Sequence, residues 1–405
     1  MNRTYISVTH TSTTLSNSGI QRVVRNLSRE WLNFGSCEFI HWNHKNNNFY
    51  PVDPFHKNYK FNEYGGPPIE SVMTDWKQSE INSQLKAYLY TFLRIIGKYK
   101  KRGKVPLKSF KSIDKKWLIL PELMTGEVTK NCIQFAKNHG FKTAALFYDA
   151  IPIEYPSWVN EQIRINHADY MKHLSDCDII LPISISSSEA FSNFCIHEGL
   201  KCPKLSPVLL PGEFPNNEPP KSYSDNNGKI KNILMVASLE ARKNHERVIY
   251  AFNKISEKHP DTKLQLVGSA YKGGDSVKAL VNSAIQRNKN IIWHGRASDN
   301  ELKSFYQSAK FTIFPSMAEG FGLPILESLF YGKPCITSDQ SVMAELAKDG
   351  GCLTADVFSI DNLSEKMDRL LSDPSLYKRL IGEAKKRIYK TWYEYTSEII
   401  ATLDN

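Results

Sequence analysis

The chain has 405 residues, of which 41% are hydrophobic and 23% charged, and its net charge is +10. This length predicts two to three domains, and the ordinary globular composition excludes a disordered chain, a collagen-like fibre and a small disulfide scaffold. No run of about 18 apolar residues is present, which excludes a transmembrane helix, and the first residues lack the apolar core of a signal peptide. We therefore expect a cytoplasmic protein.

Strand and helix patterns alternate in the first half of the chain. A strand is predicted at 4–10, an amphipathic helix at 19–34 and a short strand at 38–42. Four short and nearly continuous apolar segments follow, as is typical of buried strands in a parallel sheet. These segments are 116–122, 142–149, 177–184 and 206–211, with helices predicted between them at 127–139, 160–175 and 186–199.

The basic part of the chain lies between the strand predicted at 38–42 and the strand predicted at 116–122. Residues 94–116 hold ten Lys or Arg and a single acid, Asp114, directly after an apolar stripe at helical spacing in 80–97. Two interpretations of 80–116 stay open: an interfacial helix with a polybasic flank on anionic lipid, or a core helix followed by a solvated loop. No nucleic-acid partner is expected, because no binding module is recognisable.

A change of composition marks a second domain. Residues 212–230 are rich in Pro, Asn, Ser and Gly, which predicts a linker. Beyond the linker, six predicted strands alternate with helices, as in a doubly wound parallel sheet. The strands are 232–238, 263–269, 290–295, 310–316, 333–339 and 351–355, and three helical stretches follow at 359–372, 374–388 and 390–402.

The predicted fold class is therefore α/β, with two Rossmann-like parallel-sheet domains. We assign 1–213 to the first domain, 214–230 to a hinge, 231–388 to the second domain and 389–405 to a C-terminal helix that can pack back on the first domain. Ligands of such sheets bind beyond the carboxyl ends of the strands. The chemistry is thus expected in the loops that follow strands.

Metal and disulfide chemistry is not indicated. The seven cysteines are odd in number and include no C-x-x-C pair, so they predict neither a disulfide framework nor a zinc ribbon. No H-x-E-x-H motif or cysteine cluster points to a metal. We expect neither a metal nor a cofactor.

The densest chemical signal is FPSMAEGFGLPILESLFYGKPCITSD at 314–339. Gly320 and Gly322 precede a helix start, where free amides and small residues allow close approach of a phosphate. Glu319 and Glu327 flank that site, and two carboxylates beside a phosphate need partners such as sugar hydroxyl groups. A nucleotide-sugar has hydroxyl groups at both ends and a diphosphate in the middle, so it matches this arrangement.

The segment E-G-F-G-L-P-I-L-E (319–327) resembles the E-x7-E motif of retaining family 4 glycosyltransferases, which have the GT-B fold with two domains facing across a cleft. The resemblance covers both halves of the chain, most densely 230–355 and thinly 50–115. It implies that Glu319 positions the donor sugar and Glu327 binds the ribose. It also implies that the backbone of Gly320, Phe321, Gly322 and Leu323 contacts the sugar and phosphates.

Two further segments of the second domain resemble this family. VASLEARKNHERVIYAF (236–252) is similar to the pattern G-T-L-E-P-R-K-N and implies that Arg242 and Lys243 hold the donor pyrophosphate, where fixed cations stabilise the leaving charge without a metal. Ser238 stands where other members have different residues, so a hydroxyl replaces a familiar phosphate contact or that contact is absent. The loop at 294–309 implies that Gly295 and Arg296 line the nucleotide base.

The first domain carries weaker resemblances. SNSGIQRVVRNL (16–27) is similar to the glycine-bearing first loop and implies that Gly19 contacts the donor, while Arg22 and Arg25 face either the cleft or solvent. FYDAIPIEYPSWV (147–159) implies that Asp149 binds sugar hydroxyl groups. Tyr148 replaces the usual His of this motif, and Glu345 is either structural or close to the donor.

Together these resemblances imply a metal-independent hexosyltransferase that extends a lipid-linked bacterial surface polysaccharide or oligosaccharide. The form G-I-Q-R-V-V-R favours mannose and GDP-mannose, although UDP- and dTDP-sugars use the same loops. The protein is then expected in the cytoplasm, with 80–116 as its contact to the inner face of the membrane. The alternatives are a non-catalytic GT-B scaffold of an assembly complex and a nucleotide-sugar epimerase.

Overall fold

The computed structural model describes residues 3–12, 19–35, 37–52, 116–212, 231–270 and 273–404. The predicted helix at 80–97, the basic segment except Lys116, and the predicted linker 212–230 except Gly212 lie outside these residues. Within the described part of the chain, no helix is both long and apolar enough to cross a membrane.

The first domain is built on a seven-stranded sheet in the order β3-β2-β1-β4-β5-β6-β7, parallel except for the β2–β3 hairpin. The strands are β1 (Arg3–Ser7), β2 (Cys37–Asn43), β3 (Asn48–Val52), β4 (Lys116–Leu120), β5 (Phe141–Phe147), β6 (Ile179–Pro182) and β7 (Lys204–Leu205). The described helices are α1 (Gly19–Phe34), α2 (Gly126–Asn138), α3 (Ile151–Glu154), α4 (Glu161–Leu174) and α5 (Ile185–His197).

The second domain has six parallel strands in the order β10-β9-β8-β11-β12-β13. The strands are β8 (Lys231–Val236), β9 (Thr262–Val267), β10 (Ile291–Trp293), β11 (Phe311–Phe314), β12 (Cys335–Ser338) and β13 (Cys352–Ala355). The helices are α6 (His245–Ser256), α7 (Asp275–Arg287), α8 (Asp299–Ser308), α9 (Leu323–Phe330), α10 (Ser341–Ala347), α11 (Ile360–Ser372), α12 (Pro374–Lys386) and α13 (Trp392–Asp404). The predicted α/β class with two parallel-sheet domains is confirmed.

The C-terminal helix α13 packs on the first domain, although it follows the second in sequence. Its residues Ile399 and Leu403 share a buried core with Trp31 of α1. Trp117 Nε1 donates a hydrogen bond to the Leu403 carbonyl oxygen at 3.0 Å, and the rings of Phe34 and Tyr393 stack with centroids 4.6 Å apart. The chain therefore crosses twice between the domains, once at the linker and once before α13.

Two strands of the first domain differ from the sequence-based prediction. β3 was not predicted, because the asparagine-rich turn at 43–48 resembles a loop and Asn47 there adopts a left-handed φ of 44°. The bounds of the strand predicted at 206–211 are wrong, because the strand found here, β7, consists of Lys204 and Leu205. Residues beyond it remain extended, since the Ser206 and Val208 amides each donate to β6 carbonyl oxygens at 2.9 Å. Pro207 and Pro211 lack the N–H groups that a regular strand needs.

Candidate active site

The second domain has its topological switch point between β8 and β11, which are neighbours in the sheet although two strands, β9 and β10, lie between them in sequence order. Connections leave this point in opposite directions and open a crevice, where ligands of parallel α/β sheets bind. The loops after these two strands are 237–244 and 315–322, and they carry the residues of the two strongest motifs. The fold thus places both motifs on opposite walls of one crevice.

Glu319 lies between two cations at this crevice. Its Oε2 is 3.0 Å from Arg242 Nη1, and its Oε1 contacts Lys243 Nζ. Arg242 is fixed further by the Ala318 carbonyl oxygen at 3.0 Å and by Glu240 Oε2 at 3.0 Å from its Nε. Lys243 also lies over the Phe314 ring, 5.3 Å from the centroid. These contacts are with protein groups, and the expected hydrogen bonds of this acid with sugar hydroxyl groups stay a prediction.

Burial and charge act against each other in this cluster. Burial raises the pKa of Glu319, but Lys243 and Arg242 outweigh it, and the pKa lies below its ordinary value. Burial lowers the pKa of Arg242, whereas Glu319 and Glu240 raise it more, so the guanidinium stays charged. Burial lowers the pKa of Lys243, with Glu319 opposing that effect. The result is a largely buried cluster of two acids and two bases in close contact.

The backbone conformation at Asn244 explains why the R-K-N segment ends in asparagine. Its φ is 65° and its ψ 32°, a left-handed conformation that asparagine tolerates better than most residues. The side chain is buried, and its Nδ2 donates to the carbonyl oxygens of Val357 at 2.7 Å and Pro315 at 3.2 Å. Asn244 therefore ties the cation loop to the loop that carries Glu319.

Glu327 lies on α9 and faces the other domain. Its Oε1 accepts a hydrogen bond from Arg22 Nη1 of α1 at 2.9 Å, and its Oε2 accepts one from the Tyr306 hydroxyl at 2.7 Å. The carboxylate is almost fully buried, with a side-chain exposure of 5%. Of the two orientations open for Arg22, the structure has the one toward the cleft.

The segment between the two acids is shaped by glycine. Gly322 has a φ of 113° and caps α9, with its carbonyl oxygen accepting from the Ile325 amide at 3.0 Å. Phe321 is buried in the core, so only its backbone is available to a ligand. Leu323 is the first residue of α9, followed by Pro324, a proline position that helices tolerate. Contact of these amides with a phosphate or sugar stays a prediction based on the helix start.

In the first domain, Tyr148 and Asp149 directly follow β5 and lie opposite Gly320. The Tyr148 side chain is buried, and its hydroxyl donates to the Pro121 carbonyl oxygen at 2.6 Å. Its hydroxyl group is therefore engaged within the first domain. Asp149 Oδ1 accepts from the Ile151 amide at 3.2 Å, and its charge contributes to the raised pKa of Arg242 across the cleft.

Among the contacts of the described residues, none joins Gly295 or Arg296 to the Glu319 cluster, whereas Ser238 reaches it through Glu240. The Gly295 carbonyl oxygen accepts from the Gly268 amide at 2.8 Å and lies at the end of β10, and Arg296 is exposed beside it. Ser238 Oγ contacts Glu240, the same acid that holds Arg242. Gly19 begins α1 and is exposed.

Sequence reasoning missed two carboxylate contacts. Glu122, directly after β4, is buried and accepts from the backbone amides of His10 at 2.9 Å and Thr11 at 2.6 Å. It thereby fixes the chain that leaves β1 at the first domain's own switch point. An acid that ends a buried apolar strand, as in ILPE, is the signal that identifies such a residue. The Tyr306–Glu327 contact had no sequence signal, because helical tyrosines are common.

Comparison with known proteins shows what this chain is similar to. Residues 219–387 match the family described as glycosyl transferases group 1. The serotype-specific mannosyltransferase WbdA of Escherichia coli is 26% identical over 245 residues, covering 57% of this chain and 29% of that protein. The O-antigen chain mannosyltransferase B of Escherichia coli is 31% identical over 146 residues, covering 35% of this chain and 37% of that protein. The matches thus span well under half the length of these relatives.

The whole fold is also similar to a solved structure. Sucrose-phosphate synthase from Thermosynechococcus elongatus superimposes with a TM-score of 0.66 at 15% identity, covering 100% of this chain and 98% of that one. Residues 219–387 thus resemble glycosyl transferases group 1, and the two domains have the GT-B fold, so the resemblance stated from the sequence is confirmed.

Proposed function

We propose that this chain is a retaining, metal-independent mannosyltransferase that uses GDP-mannose and transfers mannose to a hydroxyl group of a lipid-linked bacterial surface polysaccharide or oligosaccharide. The observation that carries this proposal is the placement of Glu319 between Arg242 and Lys243 at the switch point of the second domain. Similarity to two mannosyltransferases favours mannose as the sugar.

The cations and the acid have complementary tasks in this proposal. A diphosphate bound at Arg242 and Lys243 competes with Glu319 for both groups. Once displaced, the Glu319 carboxylate is next to the sugar and accepts hydrogen bonds from its hydroxyl groups. The two fixed cations stabilise the charge that develops on the leaving diphosphate, which is the contribution that a metal makes in other enzymes.

The proposed reaction takes place on one face of the sugar. The bond from the anomeric carbon to the diphosphate oxygen breaks, and a bond to the acceptor oxygen forms on the same side. The proton of the acceptor hydroxyl moves to the departing phosphate oxygen. Glu327 binds the ribose, and the amides of 320–323 contact the sugar and phosphates. Asp149 faces the site from the first domain and orients hydroxyl groups.

A thermal-shift screen tests the donor assignment. The purified protein is mixed with UDP, GDP, dTDP or CDP and with their common sugars, in the presence of EDTA. Because a ligand that binds only the folded state stabilises it by about 2.7 kcal/mol at 100 times its Kd, stabilisation by GDP and GDP-mannose is expected. Stabilisation by a nucleotide with another base identifies a different donor. No shift with any nucleotide overturns the enzyme proposal in favour of the scaffold.

Product analysis tests the reaction type. With GDP-mannose and a lipid-linked acceptor, NMR of the product is expected to show the same anomeric configuration as the donor. Isomerisation of the donor without an acceptor indicates the epimerase instead. Contact of 80–116 with the inner face of the membrane stays a sequence-based prediction, tested by sedimentation with anionic vesicles.

A further inference from the structure

The N-terminus of α5, in the first domain, is bound by a carboxylate of the second domain. Glu345 on α10 accepts hydrogen bonds from the backbone amides of Ser186 at 2.9 Å and Ile185 at 3.3 Å, and it contacts the Ser186 hydroxyl. Ser184 caps the same helix by accepting from the Ser187 amide at 3.0 Å. A carboxylate is favoured at a helix N-terminus, because unpaired amides give that end a partial positive charge.

The same helix start contacts the loop of the catalytic acid. The hydroxyl group of Ser184 donates to the Gly320 carbonyl oxygen at 3.0 Å. Ser187 Oγ donates to the Tyr148 carbonyl oxygen at 2.7 Å. Gly320 directly follows Glu319 in this loop. A hydrogen bond to the Gly320 carbonyl oxygen therefore restricts the orientation of the peptide plane after Gly320.

Gly320 itself lies against the first domain. A Cβ atom added at this residue would fall below 3.0 Å from the Tyr148 carbonyl oxygen and within 3.3 Å of Asp149 Cβ. The opposing atoms include main chain, which cannot rotate away. Gly320 is therefore required by the approach of the two domains, since the conflicting atoms all belong to the other domain.

From these contacts we propose that Glu345 is a positioning residue: by docking on α5 it holds the domains together and seats the Glu319 loop against Tyr148. We term these contacts the α5 contact, which consists of Ser184, Ser186, Gly320 and Glu345. Through the α5 contact, the domains close and the transfer site assembles at the same time. Its effect on transfer rests on the proposed function, but its effect on domain closure does not.

Small-angle scattering and kinetics on the full-length chain test the proposal together. The variants are Glu345→Ala, Glu345→Gln and Gly320→Ala, with Glu189→Ala as control because Glu189 is an exposed acid on α5 itself. A compact chain of 405 residues has a radius of gyration of about 22 Å. We expect Glu345→Ala and Gly320→Ala to increase the measured radius and Glu189→Ala to leave it unchanged.

Transfer kinetics separate positioning from mere stability. Glu345→Ala is expected to lower kcat/KM by roughly tenfold to 100-fold, the effect of losing hydrogen bonds to a charged acceptor. Glu345→Gln keeps an acceptor oxygen and is expected to recover part of that loss, while Glu189→Ala retains wild-type values. Melting temperatures of the variants are compared in parallel, and Gly320→Ala replaces Glu345→Ala if the latter does not fold.

Two results overturn the proposal. One is a scattering curve of Glu345→Ala and Gly320→Ala that superimposes on that of the wild type. The other is equal kcat/KM for Glu345→Ala and Glu189→Ala in an active enzyme. If the wild type binds no nucleotide, the proposed function fails, but the scattering comparison still decides whether the α5 contact closes the domains.

Discussion

Arg22 of the first domain and Glu327 of the second form an ion pair, with 2.9 Å between Nη1 and Oε1, although 305 positions separate them in the chain. Their side-chain exposures of 21% and 5% place the pair largely away from water. The acid proposed to bind the ribose is thus held from across the cleft. Together with the α5 contact, this pair links the proposed nucleotide site to the arrangement of the two domains.

The Arg22–Glu327 pair is expected to couple in a double-mutant cycle. Arg22→Ala, Glu327→Gln and the double variant are compared with the wild type by chemical denaturation. Because the pair is partly buried, we expect a coupling energy of about 1–2 kcal/mol. Additive effects of the two single substitutions would show that the pair contributes no interaction energy.

Glu327 is expected to determine the preference for a ribonucleotide. A carboxylate that accepts hydrogen bonds from a diol binds GDP more tightly than 2′,3′-dideoxy-GDP, by roughly tenfold to 100-fold. Glu327→Gln is expected to remove most of this preference. Calorimetric titration of both nucleotides into both proteins measures it, and an unchanged preference in the variant places the ribose elsewhere.

Glu319→Gln is expected to separate binding from transfer. The change removes a negative charge from between two cations, so GDP affinity should be retained or become tighter. Transfer should fall by at least about 100-fold, since the sugar loses its charged hydrogen-bond acceptor. Calorimetry and a transfer assay measure the two effects, with Glu246→Gln, an exposed acid on α6, as control. A Glu319→Gln enzyme with near-wild-type kcat is incompatible with the proposed role.

Asn244 is expected to matter for stability through its backbone as well as its side chain. Asn244→Ala loses hydrogen bonds to two carbonyl oxygens and places alanine in a left-handed conformation, which should cost about 2–4 kcal/mol of unfolding free energy. Asn244→Gly keeps the backbone preference and should cost about 1 kcal/mol less. Denaturation curves of both variants test this order, and the reverse order contradicts it.

His245 is expected to make the protein less stable in acid. Burial, and secondly the charge of Lys243, lower its pKa from 6.5 to about 4. The unfolded chain therefore takes up a proton between pH 6.5 and 4 that the folded chain does not. The unfolding free energy therefore carries no penalty from His245 above pH 6.5. As the pH falls toward 4, this difference in proton binding lowers the unfolding free energy by roughly 3 kcal/mol.

Unfolding free energies measured from pH 7 to 4 check this expectation. His245→Gln has no ionisable group at this position and should show a shallower decline over that window. His197→Gln, at an exposed histidine with 85% side-chain exposure, should decline as the wild type does. Parallel declines of His245→Gln and wild type would assign the acid sensitivity to other groups.

The sequence by itself determined the layered architecture and the two loops that carry chemistry. The helix predicted at 19–34 has the bounds observed for α1, because amphipathic periodicity depends only on residues that are close in sequence. Acidic and basic motifs after buried strands pointed to the crevice, because the carboxyl ends of parallel strands share one edge of the sheet. These are local signals combined with a general rule of topology.

Only the tertiary structure decided which charged groups meet. Glu319 with Lys243, Glu327 with Arg22 and Glu345 with Ser186 are pairs separated by 76, 305 and 159 positions. The inward orientation of Tyr148 likewise depends on a carbonyl oxygen 27 positions away. Such contacts depend on strand order and on the approach of two domains. No spacing along the chain encodes them, because residues distant in sequence become neighbours only when both sheets have formed.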